Sequence, residues 1–137
     1  MAHPQSAFRH TSFSNGTILA ARRDTIARTT IKTQLDQFRT TGRYNCFELK
    51  WHPTYDDRSQ WPVPKHLFWD SDIAKWIEGA CYFLTSHYDE NIDAAVQYMV
   101  ESIRSAQQDD GYLNLHYTLV DPGGRWSNLR DMHELYV

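Results

Sequence analysis

Two apolar stripes joined by a short polar link constrain the fold of this chain more than any other feature. In residues 72–86 and again in residues 89–106, apolar side chains recur at intervals of three and four, the spacing of one face of an α-helix. The stripes are Ile73, Trp76, Ile77, Ala80, Phe83 and Leu84, and then Ile92, Ala95, Val96, Met99, Val100, Ile103 and Ala106. Because so few residues separate the two predicted helices, they must run antiparallel and bury their stripes together as an αα-hairpin.

Polar residues and a glycine mark where the predicted helices begin and end. The Asp-Ser-Asp triplet at residues 70–72 offers side-chain oxygens to the free N–H groups of a first turn, and Asp89 is the predicted N-cap of the second helix. Upstream, a helical pattern starts near Ile18 and is strongest over residues 25–40, and Gly42 is its predicted left-handed C-cap. Its apolar face consists of Ile31, Leu35 and Phe38.

The remaining segments carry turn signals or no period at all. Residues 1–15 show no periodicity and are predicted to be an extended or disordered lead, and three prolines predict a loop over residues 51–66. Weak alternation predicts an extended segment over residues 112–120, and residues 121–124 read Asp-Pro-Gly-Gly, a strong turn. A last helix is predicted to begin near residue 131, with Asn128 or Asp131 as its cap.

Charge and hydropathy exclude several classes of function. Residues 1–43 hold seven basic and two acidic residues, whereas residues 44–137 hold seven basic and fifteen acidic ones. We therefore predict that the basic first helix packs on the acidic remainder. No nucleic-acid-binding motif accompanies the scattered bases, so no nucleic-acid partner is expected. No apolar run approaches the roughly 20 residues of a membrane helix, and Met1 precedes no signal-peptide core, so we expect no membrane partner and a cytoplasmic location.

Three acidic or histidine-containing patterns invite a chemical interpretation. His133-Glu134 begins like the HExxH zinc motif, but Val137 stands where the second histidine is required. The pair is therefore either a surface or half-buried polar pair or a substrate contact. Asp70 and Asp72 could be paired glycosidase carboxylates, but residues two apart on a helix point in different directions, which favours capping. The acidic pair before Gly111 lacks the spaced ligands of a calcium loop and predicts a turn.

The two cysteines indicate neither a zinc ribbon nor a disulfide framework. Cys46 and Cys81 stand alone, without a CxxC pair. Cys81 falls within the predicted helix of residues 72–86, where it is expected to be a small buried residue.

Taken in order, several short motifs resemble one protein family. They are TGRYNCF at residues 41–47, FWDSD at 68–72, followed by KWIE at 75–78, AQQDDGYL at 106–113 and HELY at 133–136. Their order and spacing over roughly residues 15–137 resemble the N-terminal part of the catalytic domain of glycoside hydrolase family 127, the β-L-arabinofuranosidase-like proteins. Each motif alone is weak, but their succession is fairly specific.

The resemblance implies an all-α fold: a partial, truncated (α/α)6 barrel in which residues 16–137 form the N-terminal fragment of the domain. It also implies that loops entering the inner helices line the substrate funnel. Of the residues at those positions, His133 is the first candidate for substrate binding, followed by Asp70 and Trp69. Glu134 is then expected to hold His133 in orientation.

The family's implied chemistry is retaining hydrolysis of terminal β-L-arabinofuranosides by a zinc-bound cysteine thiolate, with a glutamate as acid/base. The zinc ligands, one Glu and three Cys, lie downstream of the matched region, so we expect no catalytic residue and no metal ligand in this chain. The glycan substrate then belongs to the full-length protein, and the chain alone is expected to be inactive.

The alternative is a non-catalytic helical fragment that acts through protein–protein binding. In an open ring, apolar residues that face the missing neighbours stay uncovered. We expect this of Ile73, Trp76, Phe83 and the residues around Tyr136.

Overall fold

A computed structural model describes residues 10–50, 68–130 and 134 of the chain. Within these residues all regular secondary structure is helical, which confirms the predicted all-α class. The α-helices are α1 (Ile18–Thr25), α2 (Ile31–Thr41), α3 (Trp69–Leu84), α4 (Glu90–Ala106) and α5 (Leu115–Leu119). A π-helical segment (Ile26–Thr30) and two 3-10 segments (Arg43–Glu48 and Pro122–Gly124) complete the secondary structure of the described ranges.

The first helical segment is a continuous rod in which the π-helical residues join α1 to α2. Thr17 caps it, since its side chain accepts a hydrogen bond from the Ala20 N–H at 3.3 Å. Gly42 ends it in the left-handed conformation at φ 83°, as predicted. The predicted start near Ile18 is also confirmed.

Helices α3 and α4 form the predicted antiparallel hairpin. The side chain of Asp89 caps α4 by accepting from the N–H groups of Asn91 at 3.1 Å and Ile92 at 3.2 Å. Helix α3 begins at Trp69 rather than at residue 72, because the backbone of Phe68 already accepts from Asp72. The two predicted stripes meet in one core with α2 and the first 3-10 segment.

Two residues that were expected to be uncovered are buried by the chain itself. Ile73 is 0% exposed and Trp76 5% exposed. The Trp76 indole N–H donates to the Ile31 carbonyl at 3.3 Å, and its ring meets Phe38 edge-on at 6.0 Å. The expectation was wrong because α2 covers Trp76, and because the 3-10 segment Arg43–Glu48 packs against both helices of the hairpin and shares one core with Ile73. Phe83 stays partly exposed, and Tyr136 lies outside the described residues.

Ion pairs link the basic first segment to the acidic remainder, as the charge distribution predicted. Lys32 Nζ lies 2.5 Å from an Asp89 carboxylate oxygen, and Arg43 Nε lies 3.6 Å from one of Asp72. Each pair is partly exposed to solvent. We therefore attribute the docking of α2 mainly to apolar burial and only slightly to charge.

Two other expectations are corrected by the structure. The extended segment predicted over residues 112–120 is wrong at Leu115–Leu119, because Asn114 caps the short helix α5 there by accepting from the Tyr117 N–H at 3.0 Å. The thiol of Cys81 is exposed rather than buried. The predicted loop at 51–66 and the start of the last helix near residue 131 lie outside the described residues. No helix within the described ranges has the length and apolar character needed to cross a bilayer.

Candidate functional site

Asp70 joins the start of α3 to the start of α5. Its carboxylate is 1% exposed. One oxygen accepts from the Ser71 N–H at 2.9 Å, and the other accepts from the Leu115 N–H at 2.9 Å. A buried carboxylate needs such donors, and the Leu115 N–H belongs to a first helical turn that offers no acceptor of its own. Asp70 therefore fixes two chain segments that are 45 residues apart.

Residues of the first 3-10 segment surround the Trp69–Asp70 turn. The Arg43 guanidinium stacks on the Trp69 ring at 5.4 Å, and Trp69 is 5% exposed. Burial raises the pKa of the Cys46 thiol, and the negative charge of Asp70 raises it further. Cys46 is therefore a protonated thiol at neutral pH and is unsuited to act as a nucleophile.

Glu134 lies at the centre of a second polar cluster. It is 5% exposed, and its carboxylate accepts from the Tyr112 hydroxyl. The backbone N–H of Trp126 donates to both carboxylate oxygens, at 3.1 and 3.0 Å. The ring of Tyr112 meets that of Trp126 edge-on at 5.2 Å. The position of Glu134 is thus set by a side chain and by backbone from two separate segments.

Arg125 closes the other side of this cluster. Its guanidinium lies 3.9 Å from the centre of the Tyr112 ring, and Nη1 is 2.6 Å from an Asp110 carboxylate oxygen. Nη2 donates to the Gln108 side chain. Burial raises the pKa of Tyr112, and its hydrogen bond to Glu134 raises it further, so the phenol stays a hydrogen-bond donor at neutral pH.

A cleft of about 240 Å³ opens between these groups. Asp110, Arg125, Trp126 and Glu134 are among the residues that line it. It is smaller than the roughly 300–1,000 Å³ of pockets for drug-sized ligands, and its walls combine aromatic, cationic and anionic groups. Such a cleft offers donors and acceptors to a small polar ligand.

The structure places residues of the sequence motifs in two buried clusters. Arg43 of the segment 41–47 contacts Trp69 of the segment 68–72, and Asp70 holds the backbone just beyond the segment 106–113. Tyr112 of that segment donates to Glu134 of the last motif. Of the predicted site residues, Trp69 and Asp70 lie in one buried cluster and Glu134 in the other, whereas His133 lies outside the described residues.

Three residues of the second cluster were not predicted from the sequence as site residues. Tyr112 stood within a motif but was assigned to an extended segment, and Arg125 and Trp126 carried no motif at all. The one available signal was the strong turn at 121–124, which brings the chain back towards Tyr112.

The residues present do not fit the zinc site that the family resemblance implies. Within residues 10–50, 68–130 and 134, no three His, Cys, Asp or Glu side chains are grouped closely enough to hold a metal ion. Cys46 is buried in the core and Cys81 is exposed on α3. No catalytic step can therefore be assigned to a metal held by these residues.

Comparison with known proteins gives two matches. The family model described as β-L-arabinofuranosidase, GH127 catalytic domain, matches residues 15–137. A non-reducing end β-L-arabinofuranosidase of Bifidobacterium longum subsp. longum is 39% identical over 75 residues, which is 52% of this chain and 11% of that protein. The chain thus spans only a small part of this relative's length. No solved structure matches the chain.

Proposed function

Because the chain belongs to the β-L-arabinofuranosidase family GH127, we propose that it forms a substrate-binding corner of a glycoside hydrolase that acts on terminal β-L-arabinofuranosides. The observation that carries this proposal is that two buried carboxylates from the motifs, Asp70 and Glu134, each accept hydrogen bonds from a distant chain segment, Asp70 from Leu115 and Glu134 from Tyr112. Hydrogen bonds between segments far apart in sequence, centred on buried carboxylates, are typical of a supporting shell that holds ligand-binding side chains in place.

Glu134 is the positioning residue in this proposal. Its carboxylate is held by the Tyr112 hydroxyl and by the Trp126 backbone N–H. We propose that Glu134 in turn orients His133, its neighbour in the sequence. An imidazole both donates and accepts hydrogen bonds, which suits a sugar hydroxyl. Arg125 and Asp110 at the edge of the cleft offer further polar contacts of the same kind.

We further propose that the chain does not hydrolyse glycosides by itself. Retaining hydrolysis needs a nucleophile and an acid/base on opposite sides of the scissile bond. The buried thiol of Cys46 is protonated, and the carboxylates of Asp70 and Glu134 already accept hydrogen bonds from other groups of the protein. The reacting groups and the zinc would then come from other parts of the full-length enzyme.

Binding is tested by titrating the chain with methyl β-L-arabinofuranoside and following tryptophan fluorescence and ligand NMR. We expect weak saturable binding, with a dissociation constant of the order of 1 mM. The D-enantiomer should bind at least tenfold more weakly. The His133→Ala variant should lose the response, whereas the His10→Ala control should keep it. Equal binding of both enantiomers, or an unchanged response of the His133→Ala variant, would contradict the proposed substrate-binding role.

The absence of turnover is tested with 4-nitrophenyl β-L-arabinofuranoside, with and without added zinc. We expect no release of nitrophenol above that of a variant in which both Cys46 and Cys81 are alanine. Release by the wild-type chain alone would show that the reacting groups are present in it.

A further inference from the structure

A groove follows the seam between the α1–α2 rod and α3. Near α1 it has a volume of about 540 Å³ and is bounded by Leu19, Ile26 and Phe83, and near α2 it has about 360 Å³ and is bounded by Phe38 and Gly79. The α3 residues that line the two stretches are Asp72, Lys75, Trp76, Gly79, Tyr82 and Phe83. Their spacing of three and four places them on one helix face, so the two stretches are consecutive parts of one seam groove.

The α1 end of the seam groove exposes large apolar side chains. Leu19 is 58% exposed, and Phe13 and Ile26 are each 39% exposed. Three such side chains beside the partly exposed Phe83 make a contiguous apolar surface at the end of a helical hairpin. Contiguous apolar surfaces of this kind mark interaction sites more often than isolated exposed residues do.

Gly79 lies on the floor of the seam groove, in the middle of α3. A Cβ atom built on it would meet no atom within 4 Å outside the backbone of its own helix. Glycine in a helix interior costs about 1 kcal/mol relative to alanine, and no close approach by the described residues requires it. A glycine on an open helix face does, however, allow the backbone of a second helix to approach closely.

The charge of the seam groove selects among possible occupants. Arg22, Arg23 and Lys75 line it, and Asp72, its one acidic lining residue among those described, lies 3.6 Å from Arg43. A second copy that bound through the same face would place arginines against arginines, which disfavours self-association. A helix with carboxylates beside its apolar face would complement both the apolar floor and the basic rim.

We propose that the seam groove binds a protein partner through an acidic amphipathic α-helix, which crosses α3 at Gly79. Its apolar residues would lie against Leu19, Ile26 and Phe83, and its Asp or Glu side chains against Arg22 and Arg23. This is the helix-in-groove mode of recognition, in which residues at i, i+3, i+4 and i+7 anchor the partner.

The test uses a synthetic helical peptide of about 18 residues with leucines on one face and glutamates beside them. Binding to the full chain is measured by fluorescence anisotropy. We expect saturable binding, and at least tenfold weaker binding of the same peptide with lysine in place of glutamate. The Gly79→Leu variant should keep its helical circular dichroism, because a Cβ atom at this position meets no atom within 4 Å and leucine is a good helix former, and it should bind the peptide at least tenfold more weakly.

Charge reversal supplies the matched control. The double variant Arg22→Glu and Arg23→Glu should bind the acidic peptide at least tenfold more weakly than the wild type does, and it should bind the lysine peptide more tightly. Arg104→Glu, on the outer face of α4, should leave both affinities unchanged. The proposal is wrong if the acidic peptide fails to bind at about 1 mM, or if Gly79→Leu binds it as well as the wild type does. It is also wrong if sedimentation shows a dimer that Gly79→Leu disrupts.

Discussion

At the scale of single residues, Asp70 illustrates how a buried charge can organise a chain. Its two oxygens satisfy the N–H groups of Ser71 and Leu115, so the desolvation cost of the carboxylate is offset by hydrogen bonds that also join α3 to α5. A neutral acceptor of another shape could satisfy only one of these donors well. Asp70 therefore has a structural role, while its predicted contact with a substrate stays a prediction.

We predict that Asp70→Ala destabilises the protein by about 2–4 kcal/mol, because it removes the carboxylate that accepts from the Ser71 and Leu115 N–H groups in a buried site. Urea unfolding followed by circular dichroism measures the change. Asp70→Asn keeps one acceptor oxygen and should lose less stability than Asp70→Ala does. The Asp36 side chain is 72% exposed, so Asp36→Ala should change stability by less than about 0.5 kcal/mol. If Asp70→Ala proved as mild as Asp36→Ala, the joining role would be wrong.

At the scale of elements, two glycines have opposite conformational needs, one at the end of the rod and one in the middle of α3. Gly42 ends α2 at φ 83°, where a side chain is strained, while Gly79 is helical and faces open space. The same substitution should therefore have opposite effects. We predict that Gly42→Ala destabilises the protein by about 1 kcal/mol and that Gly79→Ala stabilises it by up to about 1 kcal/mol.

Thermal and urea unfolding of the two alanine variants measures this contrast, and the wild type is the common reference. Loss of stability in Gly79→Ala would mean that the neighbouring helices approach each other more closely than described. An unchanged Gly42→Ala would mean that α2 ends in another conformation.

The elements that the sequence predicted are those whose signals are local. The stripes of α3 and α4 and the caps at Asp89 and Gly42 follow from spacing within one helix, and the structure confirms them. Helix α5 was missed because its five residues carry too short an apolar pattern, although Asn114 offered a capping signal. The contact of Asp70 with Leu115 joins residues far apart in sequence, and no local pattern encodes it.

At the scale of the whole molecule, the chain buries more of its apolar surface than an open segment of a helical ring was expected to bury. The core runs from Ile31 on α2 through Ile73 on α3 to Met99 on α4, all at most 4% exposed. Among residues 10–50, 68–130 and 134, the exposed large apolar side chains lie at the seam groove and at scattered single positions. We therefore expect a cooperative core rather than a loosely associated hairpin.

The reaction rates of the two cysteines distinguish a cooperative core from a loosely associated hairpin. Cys46 is buried in the core and Cys81 is exposed on α3, so a thiol reagent reaches Cys46 only when the core opens. We predict that Cys81 reacts at least about a thousandfold faster than Cys46 at neutral pH, because core opening in a stable domain costs several kcal/mol. The raised pKa of Cys46 acts in the same direction, since it lowers the thiolate fraction.

Labelling of single-cysteine variants followed by mass spectrometry measures the two rates, and labelling in denaturant provides the reference in which both thiols should react alike. Asp70→Ala should speed the labelling of Cys46 and leave that of Cys81 unchanged, because the lost hydrogen bonds belong to the cluster around Cys46. Similar native rates for both thiols would mean that the core opens readily. The buried cluster around Asp70 could then not hold α3 and α5 together without further parts of the protein.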